Sequence, residues 1–440
     1  MESALDLNKI FKITYVFLIG YISLLPFYYF PAVYIFGLRL PLVKYLPLLL
    51  IMIIFFISLL RGSMGIKVIR GQRLSLYILT YFFLTLLSGL GTAYYRVSVL
   101  KAVYYGLTGT LLYFALYSWK KSPIDKISIF RSVVVIGFIV SSYGIATLVI
   151  KKDFLFAGLQ YAKSNLIDPK ILLDMGRISS SLGNPLFLGG FLSAIFPLSF
   201  FLYLFNSQQK ERPNFFTAIM PVVIFIAIAL TFSVGAFLSA IAFFIIYHVK
   251  IRKICNYDIL PAFKRAQRLF LAGVIVLSLV LFMMTANVFS QYYTEGYLFG
   301  SVLGRFDFQR LANPQAVSSR LEGLEDAAGF LKTKFCFFGI GIGKIGSGDN
   351  RFLRVAMDNY YCLSLIERGA LVAVSMLVLF YLIIKKAQNQ ISSPVSLEEK
   401  RLNAFLMASL AAFFINMLFW DTLNHPTLRI LFWSFVGLLA

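Results

Sequence analysis

Apolar runs separated by short clusters of Lys and Arg recur along the whole chain. A helix that crosses a bilayer needs about 20 predominantly apolar residues. Runs of that kind predict helices near 11–30, 40–60, 73–91, 99–118, 129–150, 185–205, 214–231, 233–249, 268–288, 360–384, 402–419 and 426–440. The stretch 214–249 is continuously apolar and would overshoot a bilayer as one helix, so it divides at Thr231-Phe232-Ser233. The expectation is an all-α polytopic membrane protein, a single domain over 1–440 with about twelve spans.

The basic clusters test that count, because short cytoplasmic loops carry the excess of Lys and Arg. Loops 61–73, 119–131, 206–213, 249–268 and 385–401 hold Arg61, Lys67, Arg70, Lys120, Lys121, Lys126, Lys210, Arg212, Lys250, Arg252, Lys253, Lys385, Lys386, Lys400 and Arg401. All five fall on one side under the twelve-span reading, which makes both termini cytoplasmic. Leaving 214–249 undivided would move the last two loops to the other side. The opposite face then receives the two long connections, 151–184 and 289–359. The second contains Ser319 and Glu322, a capping box, followed by Leu321, Leu324, Ala328 and Leu331 at helical spacing. An amphipathic helix at the outer surface is expected there.

Composition narrows the class further. Hydrophobic residues make up 59% of the 440 and charged residues only 14%, against roughly 25% charged in soluble domains. This excludes a soluble enzyme and a disordered chain. A net charge of +22, scattered between apolar runs, reads as topology signalling and contact with anionic headgroups rather than nucleic-acid binding. Cys255, Cys336 and Cys362 lack metal-ligand spacing and are too few for a disulfide framework; Cys336 and Cys362 lie near the same face and could pair. The first apolar run has no small-residue cleavage site after it, so it reads as a span rather than a signal peptide.

Five features could carry chemistry. Arg177 precedes Ser180, Gly183, Asn184 and Pro185, a turn into a helix at the membrane surface; it suits a lipid-linked phosphate, or simply snorkels to headgroups. Ser319-Arg320 opens the amphipathic helix, where an arginine opposes the helix dipole and would serve an anion, or pairs with Glu322 or Glu325. Gly339 to Gly346 formally contains G-x-G-x-x-G without the strand and helix a dinucleotide site needs. It reads instead as a turn that lets backbone approach a ligand or a neighbouring helix. Asp358-Asn359-Tyr360-Tyr361 begins a span, with Asp358 either a cap or a general base, and Glu367-Arg368 lies inside that span, where ionisable residues are costly. His425 stands alone at the last outer turn, more simply structural than catalytic.

Taken in order with Thr231-Phe232-Ser233-Val234-Gly235-Ala236, Gly339-Ile340-Gly341-Ile342-Gly343 and Glu367-Arg368-Gly369, these segments make the chain resemble the O-antigen ligase/polymerase superfamily of bacterial inner-membrane glycan enzymes. The resemblance covers about 170–440. Where that family often has Thr-x-Ser-Arg-Gly this chain has Val234 before Gly235, and where ligases have His-Asn it has Asp358-Asn359, which favours polymerisation. The resemblance implies a metal-independent glycosyltransferase without a cofactor. Its donor is an undecaprenyl-diphosphate-linked oligosaccharide in the outer leaflet of the bilayer. A chain-length regulator and a flippase are implied as partners, and nucleic acid is not. Arg177 and Arg320 would stabilise the departing diphosphate, and Asp358 would assist the attacking sugar hydroxyl. Asn184, Ser319, Lys344, Arg351, Arg354, Asn359 and Tyr360 would bind substrate, while Tyr292, Tyr293, Tyr297 and Tyr361 could stack on sugars or form an interfacial belt. A ligase is the alternative. A transporter fits less well, because polar residues gather in outer loops and no internal repeat is evident.

Overall fold

A computed structural model describes residues 73–92, 95–119, 126–150, 177–209, 215–254, 327–333, 336–342 and 359–439. Short pieces at 25–27, 33–35 and 38–40 and isolated positions near them or at 325 complete it. The expected spans at 11–30, 40–60 and 268–288 lie essentially outside the described residues.

Apart from a short antiparallel hairpin, β1 (Val33–Ile35) with β2 (Leu38–Leu40), the described regular elements are helical. In chain order the helices are α1 (Arg73–Leu90), α2 (Tyr95–Trp119), α3 (Lys126–Ile150), α4 (Pro185–Gln209), α5 (Phe215–Leu230), α6 (Val234–Ile246), α7 (Tyr360–Ser392), α8 (Leu397–Phe419) and α9 (Pro426–Leu439). Seven helical stretches are long and apolar enough to cross a membrane, and α5 and α9 are shorter apolar helices.

The apolar stretch 214–249 breaks where its length demanded. Thr231 closes α5, Phe232 takes a left-handed φ of 51°, and Ser233 caps α6 by accepting a hydrogen bond from Ala236 N at 3.4 Å. The chain thus reverses within three residues.

Burial ranks the helices. α4 is buried over 94% of its most apolar window and α8 over 72%, against 33% for α1. α4 is therefore the axis, packed by α3, α5, α6 and α8. Small residues permit the approach: Gly189 lies against Ala236, Ser233 and Thr231, and Gly190 against Leu428. Phe196, Phe200, Phe243, Tyr247 and Phe405 interlock at ring separations of 5.4–6.2 Å. A buried polar knot ties three helices: Asn416 Nδ2 donates to Ser193 Oγ (2.7 Å), Ser239 Oγ (3.0 Å) and Ala412 O (3.0 Å).

Side-chain register gives each helix a direction. Ser239 meets Ala412 while Phe243 and Tyr247 meet Phe405, so α6 and α8 are antiparallel. Gly89 meets Ser98 and Gly106 meets Phe82, so α1 and α2 are too. Arg73, Lys126, Lys250, Lys253, Lys385, Lys386, Lys400 and Arg401 consequently sit at or within a few turns of one end of the bundle. Arg177, the α5–α6 turn, Gly339 and the α8–α9 connection gather at the other.

The span expected at 360–384 is corrected. α7 is two helices joined at Gly369, whose φ of 83° and ψ of 168° are non-helical. The rings of Tyr361 and Phe380 are 6.2 Å apart, whereas 19 residues of continuous helix would separate them by about 28 Å. Residues 360–368 therefore run back along 370–380 as a short re-entrant helix. Only glycine fits the turn, since a Cβ on Gly369 would strike the Phe337 carbonyl.

Candidate functional site

Two long-range junctions form at the end of the bundle away from the basic loops. At the first, Arg177 Nε donates to Thr231 O (3.1 Å) and Ile178 N to Leu230 O (3.2 Å), joining the segment that leads into α4 to the α5–α6 turn. Ser180, at φ 50°, donates from Oγ to Val140 O (2.7 Å) and fixes this turn to α3. Gly183 at φ 65° closes it, and Asn184 Oδ1 accepts from Leu186 N (2.8 Å). The Asn184 carbonyl oxygen is thereby occupied as a helix cap. Arg177 is half-buried beside these groups.

At the second junction, the glycine turn meets the α7 break. Ile340 N donates to Ile366 O (2.9 Å), Gly341 N to Glu367 O (3.0 Å) and Ala370 N to Cys336 O (2.7 Å). Gly339 and Gly341 have φ of 79° and 119°, and a Cβ on Gly339 would collide with the Glu367 backbone. The glycines serve close approach to a neighbouring helix. Ser88 Oγ lies 2.7 Å from both the Phe338 and Arg368 carbonyls and fastens α1 to the junction.

Below it lies a small, partly open cleft between α1, α2, α7 and α9, with a cavity volume of about 30 Å³. Arg368 and Arg429 line it, 5% and 3% exposed. Arg368 Nη1 donates to Tyr81 Oη (3.0 Å), and its guanidinium lies 5.4 Å from the Tyr360 ring centre. Arg429 lies 3.9 Å from the Tyr105 ring centre and 5.3 Å from that of Tyr104; Nη1 reaches the Leu423 carbonyl at 3.5 Å. Nε of Arg368 and both Nε and Nη2 of Arg429 have no hydrogen-bond partner among the described residues. The ion pair found among those residues is Lys126–Glu399, at the basic end. Glu367 acts on Arg368 through space.

The magnitudes argue against a purely structural purpose. Burying an arginine in apolar surroundings is costly unless its charge is met, and a desolvated cation–π contact returns about 2 kcal/mol. Both arginines line the same cleft. What the cleft offers is positive charge with free N–H donors and no described carboxylate paired to it.

No known family matches the chain, and neither does any curated protein.

His425 precedes α9, with its ring 4.0 Å from that of Phe187. Burial, and secondarily the charge of Arg429, push its imidazole down to about 3, so it is a neutral, packed group at neutral pH. Among the expected site residues, Arg177, Asn184, Asn359 and Tyr360 are described. Asn359 is the cap of α7, its Oδ1 accepting from Tyr361 N (2.9 Å) and Cys362 N (3.2 Å), and Tyr360 walls the cleft. Arg320, Asp358, Ser319, Lys344, Arg351 and Arg354 lie outside the described residues, as do Tyr292, Tyr293 and Tyr297. Cys336 and Cys362 are free thiols, not a pair. The sequence reading passed over Arg429. The signal was present: it is the lone charged residue of the apolar helix Pro426–Leu439. The reading that polar groups gather in loops is corrected accordingly, because Arg368 and Arg429 are within helices.

Proposed function

We propose that this chain is a membrane glycosyltransferase that joins undecaprenyl-diphosphate-linked repeat units, a polysaccharide polymerase of the bacterial inner membrane acting at the periplasmic face. The observation that carries the reading is that the segments of the resemblance become tertiary neighbours at one end of the bundle. Arg177 bonds the Thr231 turn, and the Gly339–Gly341 turn bonds the Glu367–Gly369 break. Segments 54 residues apart at the first junction and 26 apart at the second, Ile340 to Ile366, that pair in this way suit a built site better than isolated surface features do.

The chemistry asks little beyond positioning. Diphosphate is a good leaving group, so the developing charge needs fixed cations, and arginine binds phosphate bidentately while staying protonated. Arg177 and Arg320 are assigned to that charge and Asp358 to the incoming hydroxyl, with direct displacement at the anomeric carbon and inversion. The lipid tail confines the donor to the plane of the bilayer, which settles part of the orientation beforehand. Transfer of the finished glycan to a lipid or protein acceptor is the same chemistry with another nucleophile.

One observation favours a second reading. A discontinuous helix is an element that transporters use to meet anionic substrate groups, and α7, broken at Gly369 beside the buried Arg368, is discontinuous. Purified protein incubated with an undecaprenyl-diphosphate-linked repeat unit separates the readings. A polymerase lengthens the lipid-linked chain; a ligase changes its anchor; a transporter moves it across vesicles unaltered. Arg177→Ala is expected to remove long polymer without reducing membrane insertion, and full-length polymer from that variant would refute the assignment.

A further inference from the structure

We infer that the tyrosine-walled cleft between α1, α2, α7 and α9 binds a phosphate- or diphosphate-bearing anion through the guanidinium groups of Arg368 and Arg429. This assignment uses residues outside the set Arg177, Arg320 and Asp358 and does not depend on the polymerase reading.

Three features converge on an oxyanion. First, both arginines are more than nine-tenths buried and line the same space, and three of their N–H-bearing nitrogens have no partner among the described residues. Unsatisfied donors on a charged group are the costliest kind to bury. Second, the aromatic contacts cover faces and leave edges. Tyr105 stacks 3.9 Å from Arg429, which directs recognition to the planar N–H fork that matches phosphate oxygens. Tyr81 accepts from Arg368 through its phenol oxygen (3.0 Å), so its own O–H proton remains for the ligand. Third, the local charge does not cancel. Facing the pair are the Glu367 carboxylate, which acts on Arg368, and His425, neutral at pH 7. Among the described residues, one negative group against two positive ones leaves a net cation for a ligand of one or more negative charges. Met376, Leu379 and Phe432 are among the apolar residues of the wall, and an apolar surround strengthens each charged contact.

Trp433 lines the cleft and reports on it. Full-length protein in nanodiscs of zwitterionic lipid, with Trp119 and Trp420 replaced by Phe, is titrated separately with inorganic pyrophosphate and with undecaprenyl diphosphate, following Trp433 emission and the thermal midpoint. Saturable binding of either probe with a raised midpoint is expected. Pyrophosphate binding points to a soluble anion and binding of the lipid alone to a headgroup. R368Q and R429Q are each expected to weaken binding at least 10-fold. R368K and R429K, which keep the charge and lose the fork, should weaken it about 3- to 10-fold and serve should the glutamine variants not fold. The inference is overturned if neither probe binds, or if binding survives unchanged in the lysine or glutamine variants.

Discussion

His425 is closed in by Phe187 and Arg429, and its protonation is therefore coupled to folding. Its folded-state pKa of about 3 lies below the ordinary 6.5, so an unfolded chain takes up a proton that the folded chain refuses. The contribution is complete above pH 6.5 and is lost as pH falls toward 3, by at most about 1.4 kcal/mol per pH unit. The thermal midpoint in detergent is expected to fall between pH 7 and pH 5, and His425→Phe to flatten that slope; identical slopes would sink the coupling. At this scale the sequence was partly legible. An arginine inside an apolar run announces itself by its cost, as Arg368 did. Arg429 was obscured because the run around it passed as a span by average hydropathy. Caps were harder: Asn184 and Asn359 read as ligand residues, yet each side-chain oxygen satisfies helix N–H groups, a demand every helix start makes.

At the scale of the element, length and apolarity located the nine helices α1–α9 of the described residues, with α4, α5 and α6 starting within a residue or so of where the pattern put them. Periodicity could not show the break in α7, because both of its arms are apolar and Gly369 in a helix pattern is ambiguous between a tolerated residue and a hinge. The glycines of 339–341 held the missing information, since their left-handed φ values only acquire meaning against the Glu367 backbone. The reversal is measurable. Spin labels at Cys362 and at Tyr381→Cys, with Cys255 and Cys336 replaced by Ser, span 19 residues. The folded-back arm predicts a separation under half of the roughly 28 Å of continuous helix; a distance near that longer value would restore a single span.

For the molecule as a whole, most of the described basic residues collect at one end of the bundle and the two junctions lie at the other. The positive-inside bias then predicts which end faces the cytoplasm. In a cysteine-free background, an impermeant maleimide added to intact cells with a permeabilised outer membrane should label Lys332→Cys and spare Glu398→Cys. The reverse pattern would turn the molecule over and take the periplasmic reading with it.

The almost complete enclosure of α4 also dictates a timetable. One of its neighbours, α8, begins roughly 190 residues after α4 ends, which at ribosomal speeds of about 5–20 residues per second is a wait of roughly 10–40 s. Until then acyl chains must stand in for α8 along that flank, and Ser193 must keep its hydroxyl satisfied without Asn416. It does so locally, donating to the Gly190 carbonyl at 3.1 Å. The nascent helix can thus rest in lipid with no stranded polar group at that position, and accept Asn416 as a second, later partner.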